Sequence, residues 1–265
     1  MSEYFPLSLR HEYELYVEHE LETYKDSIPR CALLSIGDQA VNALSSQSQL
    51  ELTELVLCEE VDRIIRRRLN VPSFKSWRRK RLRKLAQYRR PEHWGLQPNA
   101  PLVRAADRVA DRAADRGAEA RVLVAGAPAV ETALFLAANG CDVTALDREP
   151  DLVERVLDAA TRAGLASRVH GLVTDLGRWA PPSPLDAVVC GSYALTGLSM
   201  GERARVIDVL QDATAFGGVH VLETSASSGA IVSLDELASR YGGWDLSIEP
   251  NRDSASTIFA RKGMA

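Results

Sequence analysis

The sequence predicts an α/β domain with a seven-stranded, mostly parallel sheet that ends in an antiparallel hairpin, preceded by an all-α N-terminal domain. Three observations carry this. From Ala118 onward, short β-rich runs alternate with helical stretches, the pattern of a parallel sheet with crossover helices. The last two β-rich runs are separated only by Pro250 to Ser254. That span is too short for a crossover helix, so the pair must be antiparallel. Before Ala118 the apolar residues recur at helical spacing instead.

In the first third, His11 to Asp26 carries a stripe of Tyr13, Tyr16, Val17, Leu21 and Tyr24, and Pro29 follows its end. A second helix is expected over Cys31 to Leu44. A third is expected from about Glu51 to Leu69, with Leu52, Leu55, Val56, Val61, Ile64 and Ile65 facing inward. Asn70-Val71-Pro72 breaks it, and Ser73 is placed to cap a fourth helix, Phe74 to Arg89. Glu92 to Asn99 reads as a linker. Pro101 and Gly117 then bracket a fifth helix whose thin stripe is Leu102, Ala106, Val109 and Ala113. The expected division is a helical domain over 1–95 and an α/β domain over 96–265.

The expected strands are Arg121 to Ala125, Asp142 to Asp147, Val169 to Thr174, Leu185 to Cys190, Val219 to Thr224, Asp245 to Glu249 and Thr257 to Arg261. The helices between them are Ala129 to Asn139, Pro150 to Ala163, Gly201 to Ala215 and Leu234 to Tyr241. Pro150 at a helix start and Gly164 past its end are consistent punctuation.

Bulk properties narrow the function classes. Of 265 residues, 46% are hydrophobic and 26% charged, ordinary for a water-soluble globular chain. The apolar runs are too short to span a bilayer, and the N-terminus has no signal-like pattern. Cys31, Cys58, Cys141 and Cys190 form no C-x-x-C pair, and the five histidines show no zinc spacing, so no metal site is expected. A reduced, cytoplasmic location is expected. Cys190 reads as a buried strand residue rather than a nucleophile.

An open parallel sheet binds its ligand beyond the carboxyl ends of the strands, where strand order reverses. The residues there are Gly126-Ala127-Pro128-Ala129 after the first strand, Asp147 and Arg148 after the second, Asp175 and Leu176 after the third, and Gly191-Ser192-Tyr193 after the fourth. Asp147 lies 21 residues beyond Gly126. An acid at that place can accept both hydrogen bonds of a ribose diol, a device shared by nicotinamide and S-adenosylmethionine enzymes. Asp175 can accept from the exocyclic amine of adenine, or simply cap a helix. The terminal hairpin separates the two cofactor classes, since a nicotinamide domain continues with parallel strands.

With these residues the stretch 95–263 resembles the class I S-adenosylmethionine-dependent methyltransferases, and within them is most similar to the tellurite-resistance methyltransferase group. The likeness rests on Phe135-Leu136-Ala137-Ala138-Asn139-Gly140-Cys141-Asp142-Val143-Thr144-Ala145-Leu146-Asp147, on Val173-Thr174-Asp175-Leu176, on Leu185 to Cys190, on Gly217-Gly218 and on Tyr241-Gly242-Gly243-Trp244. It implies the Rossmann-like methyltransferase fold, S-adenosylmethionine as cofactor and a small-molecule acceptor. Gly126, Ala127, Asp147, Arg148, Asp175, Leu176 and Gly191 are then the expected cofactor contacts. Tyr193 and Glu223 are the expected acceptor-side residues.

The chain departs from this family at the first loop, normally G-x-G-x-G. Gly126 fits the first position, but Pro128 and Val130 stand at the other two. Proline fixes φ and offers no N–H, and valine adds bulk where backbone approaches a ligand. Glu131 adds a negative charge near a helix start. Two readings follow: a working methyltransferase with an unusual loop, or a binding or assembly protein that retains the fold. A nucleic-acid methyltransferase is a third, weakened by the lack of an Asn/Asp-Pro-Pro-Tyr/Phe motif.

One segment stays outside the resemblance. Residues 1–60 hold twelve acids against three Lys/Arg, whereas 61–90 hold thirteen Lys/Arg against Asp62 alone. Such a segment suits phosphate binding, but neutralisation by the acidic first sixty residues, or a homo-oligomer or protein partner docking on the N-terminal helices, accounts for it more simply.

Overall fold

The computed structural model describes residues 9–45, 53–126, 129–181, 184–191, 193–224, 233–250 and 256–263. Two compact units make up the chain, residues 1–84 and 85–265. The division falls within a helix, where sequence reading places it after residue 95.

The first unit is built from α1 (Leu9–Ser27), α2 (Arg30–Ser45), α3 (Glu54–Arg68) and most of α4 (Phe74–Tyr88). Its core is Val17 and Leu21 from α1, Ile36 from α2 and Ile65 from α3, with Tyr13, Tyr16 and Tyr24 packed around them. The α3 stripe differs from expectation. The helix starts at Glu54 behind the N-cap Thr53, and Leu55 is 70% exposed. The inward phase follows Val61, Ile64 and Ile65, and Leu55 lies off it at helical spacing. Leu52 is outside the described residues.

In the second unit a 3-10 turn (Pro91–Trp94) stands where a linker is expected. The Trp94 indole donates to the Tyr88 carbonyl at 2.8 Å, and its ring packs on Tyr88 and His93. α5 (Pro101–Arg116) follows. It buries Val103, Ala105, Ala106 and Val109, while Leu102 is partly buried. The Ala113 side chain is outside the description.

The sheet holds β1 (Ala120–Ala125), β2 (Cys141–Asp147), β3 (Val169–Val173), β4 (Leu185–Cys190), β5 (Thr214–Thr224), β6 (Asp245–Pro250) and β7 (Ser256–Arg261). Their spatial order is β3-β2-β1-β4-β5-β7-β6. β1 to β5 pair in parallel, and β7 runs antiparallel to both β5 and β6. This is a Rossmann-like, mostly parallel sheet, with the terminal hairpin that the short 250–254 connection requires.

One layer, α5, α6 (Ala129–Ala138) and α7 (Pro150–Ala163), covers one face of the sheet. α8 (Met200–Ala213) and α9 (Leu234–Arg240) cover the other through Val206, Ile207, Leu210 and Leu237. Local chemistry fixes the helix ends. Pro150 opens α7 and Gly164 closes it at φ 67°. Ser199 and Glu202 form a reciprocal capping box on α8.

β5 begins five residues before its expected start, and α8 correspondingly ends at Ala213 rather than Ala215. Gly217-Gly218 is expected to precede the strand, yet the strand passes through it. The register against β4 shifts between Leu185 and Ala187 to absorb the extra length. Gly218 is required here, because an added Cβ would sit 2.8 Å from the Ala215 carbonyl oxygen and 2.6 Å from the Thr214 methyl.

Candidate cofactor cleft

Strand order reverses beside β1, whose neighbours are β2 and β4. Beyond the carboxyl ends of these strands lies a cavity of about 250 Å³. Ala125 and Gly126 close its floor, Asp147 and Arg148 come from the tip of β2, and Asp175 and Leu176 follow β3. Tyr193, Ala194, Thr196 and Leu198 come from the turn after β4, and Leu152 from the first turn of α7. Asp147 lies level with Val173 in the β2–β3 ladder, so the two acids stand at the ends of adjacent strands.

Each carboxylate is steadied by its own backbone. Asp147 Oδ1 accepts from the Glu149 amide at 2.9 Å, and Asp175 Oδ1 accepts from the Gly177 amide at 2.7 Å. The second bond makes Asp175 the N-cap of a short 3-10 turn. Among the described residues, Oδ2 of either acid has no hydrogen-bond partner. Two half-buried acceptors flanked by Leu152, Leu176 and Leu198 suit a flat, weakly polar ring that carries donors at both ends.

The turn after β4 folds down onto the floor of the site. A Cβ added to Gly126, whose φ is +78°, would lie 2.8 Å from the Ala194 backbone nitrogen. Gly197, at φ +81°, lets this turn close, and the Arg148 guanidinium reaches across to donate to the Thr196 carbonyl at 3.2 Å. Gly191 donates to the Ala125 carbonyl at 2.9 Å and accepts from Ala194 at 3.0 Å. It supports the turn and does not line the cavity.

Glu223 also lies outside the cavity lining. It is half-buried near the end of β5, level with Thr257 of β7, and burial pushes its carboxyl above the usual range. Tyr193 is exposed at the rim. Ala127 and Pro128 lie outside the described residues. Val130 and Glu131 line a neighbouring cavity of about 350 Å³ with Leu152, Val153 and Val156 of α7. That cavity touches Asp147 but neither Asp175 nor the turn after β4, so the convergence of acids singles out the smaller one.

Sequence reasoning missed Leu152, Thr196 and Leu198. Leu152 reads only as a helix-stripe residue, and the turn after β4 has no periodicity that announces a long-range contact. No group of residues with metal-ligating geometry occurs among the described residues. Burial pushes the Cys141 and Cys190 thiols up to about 12, which removes them as nucleophiles at neutral pH. No described helix is long and apolar enough to cross a membrane.

No family model matches the chain, and no curated protein matches it. Among solved structures, TehB from Haemophilus influenzae aligns at 17% identity and a TM-score of 0.47, over 58% of this chain and 61% of its own. The present chain therefore spans less than two thirds of that protein. CalS10, an amino pentose methyltransferase from Micromonospora echinaspora solved with S-adenosylmethionine, aligns at 17% identity and a TM-score of 0.46, over 62% of this chain and 92% of its own. The glycopeptide N-methyltransferase MtfA in complex with S-adenosylmethionine aligns at 14% identity and a TM-score of 0.46, over 61% of this chain and 94% of its own.

Proposed function

We propose that residues 85–265 bind S-adenosylmethionine and transfer its methyl group to a small-molecule acceptor. The observation that supports this is the pair Asp147 and Asp175 on adjacent strand ends, lining one cavity with Gly126 and Leu176. In this reading Asp147 accepts from the ribose diol and Asp175 from the adenine amine, while Leu152, Leu176 and Leu198 sandwich the ring. When bound, the cofactor supplies an electrophilic methyl on a sulfonium. The protein's part is to orient the acceptor and exclude water. Tyr193 at the rim and Glu223 at the end of β5 face the acceptor, and the raised carboxyl of Glu223 suits it to take a proton from an incoming amine or hydroxyl. The two carboxylate acceptors suit the hydrogen-bond donors of the nucleoside half of the cofactor. The methionine half must share the space above Gly126 with Ala194.

That last contact favours the second reading, a methyltransferase-like binding or assembly protein without catalysis. Isothermal titration of the full chain with S-adenosylmethionine and S-adenosylhomocysteine separates the two. We expect binding, with Asp147→Ala weakening it by about 1.5–3 kcal/mol, roughly tenfold to a hundredfold. An unchanged dissociation constant in that variant removes the ribose role. A flat titration of well-folded wild type leaves the assembly reading.

A further inference from the structure

The aromatic residues at the start of the basic helix α4 are packed within its own unit. Phe74 and Trp77 pack against Tyr13 and Tyr16 of α1 at ring distances of 5.4–6.1 Å. Arg81 pairs with Glu12 at 3.1 Å. The helix start is held as well. Asn70 adopts the left-handed conformation at φ 51°, Val71 donates to the Arg66 carbonyl at 3.1 Å, and the Tyr13 hydroxyl donates to the Pro72 carbonyl at 2.9 Å. α3 and α4 are thus joined by a tight, pinned connection, Leu69 to Ser73.

Lys75, Arg78, Arg79, Lys80 and Arg83 remain on the outer side, all exposed. Among the described residues none of the five has an ion-pair partner. Among the described residues, acids of the first sixty residues pair with Arg63 and Arg81 of the basic segment, through Glu60 and Glu12, and with none of these five. Lys75, Arg79 and Arg83 follow at i, i+4, i+8, a straight row with steps of about 6 Å along the axis. No acidic residue interrupts α4.

We propose that this face of α4 binds the phosphate backbone of a nucleic acid, independently of the cofactor cleft. The chemistry of the face selects this partner. A membrane-surface helix needs a free apolar side, and the aromatic residues at the start of α4 are already packed. A protein interface needs an apolar centre poor in lysine, whereas the outer face offers only Leu82, 44% exposed, among five cations. Evenly spaced cations without an apolar centre match a polyanion of regular charge density.

The test uses the full chain with fluorescein-labelled duplex DNA and single-stranded RNA of about 20 nucleotides, read by anisotropy against salt. Five phosphate contacts on the duplex give a log–log slope near −4.5, about a 500-fold loss of affinity from 50 to 200 mM salt. The triple variant Lys75→Ala, Arg79→Ala, Arg83→Ala should lower the slope to about −2 and the loss to roughly tenfold. Arg79→Lys with Arg83→Lys, which keeps the charge, should bind as wild type and guards against misfolding of the triple variant. Binding of the duplex with these slopes, or of the single strand with a slope near −3.5 for five contacts, supports the proposal, and the two arms tell DNA from RNA. Three results overturn it: no binding at 50 mM salt, a triple variant that folds and binds like wild type, or displacement of the duplex by poly-glutamate of equal charge concentration.

Discussion

Asp186→Ala should cost about 3 kcal/mol of folding stability, read as a lowered urea midpoint for residues 85–265. The Asp186 side chain is 3% exposed, at the amino end of β4. Its Oδ1 accepts from Arg116 Nη2 at 2.7 Å, with Arg112 Nε 4.0 Å away, and its Oδ2 accepts from the Arg121 amide at 3.0 Å. One carboxylate therefore ties the last turns of α5 to β1 and β4. Alanine leaves the Arg121 N–H unpaired and sets two guanidinium groups side by side without their counter-ion. Loss of a charged hydrogen bond costs about 1.5–3 kcal/mol, and an uncompensated buried charge raises that further. The partial exposure of Arg112 and Arg116 keeps the total below the fully buried limit. Asp186→Asn, which preserves an acceptor, should lose about half as much. A drop of less than 1 kcal/mol for the alanine variant would show that the clasp contributes little.

Stability should also fall steeply in mild acid because of His220. This side chain is fully buried on β5. The Thr214 hydroxyl is spent on the Leu210 carbonyl at 2.6 Å, so His220 Nε2 donates to Thr214 Oγ1 at 2.7 Å, and Tyr241 donates to Nδ1 at 2.7 Å. The neutral ring satisfies this chain. A second ring proton would confront the tyrosine donor. Burial, and after it the nearby Lys262 cation, lower the histidine to about 3 from its ordinary 6.5. The folded value lies below the unfolded one, so between these limits the unfolded chain binds the extra proton. The contribution is fully present above pH 6.5 and is lost as pH falls toward 3. It amounts to about 3 kcal/mol by pH 4.5. Urea titrations at pH 7 and 4.5 measure the drop, and His220→Gln should flatten it. An equal pH dependence in that variant would move the effect elsewhere.

The α/β half was legible because its signals are local. Strand alternation, Pro150 and Gly164, and the short 250–254 connection are each readable within a few residues. Asp147 and Asp175 were legible as strand-end acids, and the parallel sheet brings them together without further instruction. What escaped depends on distant partners. The early start of β5 is hidden behind Gly217-Gly218, because their place in a strand follows from Lys262, which exchanges backbone hydrogen bonds with both. The closure of the turn after β4 over Gly126 depends on a contact 68 residues apart. Leu55 misled because the inward face of α3 is set by Val61, Ile64 and Ile65, which puts Leu55 off it, and periodicity alone does not fix the phase of a short helix.

The terminal hairpin also governs how the molecule behaves at high concentration. With β7 inserted between β5 and β6, the sheet ends on that side in β6, so β6 decides whether another chain can add to it. Three of its six residues oppose addition: Asp245, Glu249 and Pro250. Proline offers no N–H to a neighbour. A second copy of β6 laid antiparallel would bring carboxylates close to carboxylates. Asp245 is held by Arg261 at 2.9 Å and Glu249 by Arg104, so these charges stay on the edge. The exposed Ile248 is thereby flanked on both sides, and the edge is guarded against strand-by-strand aggregation.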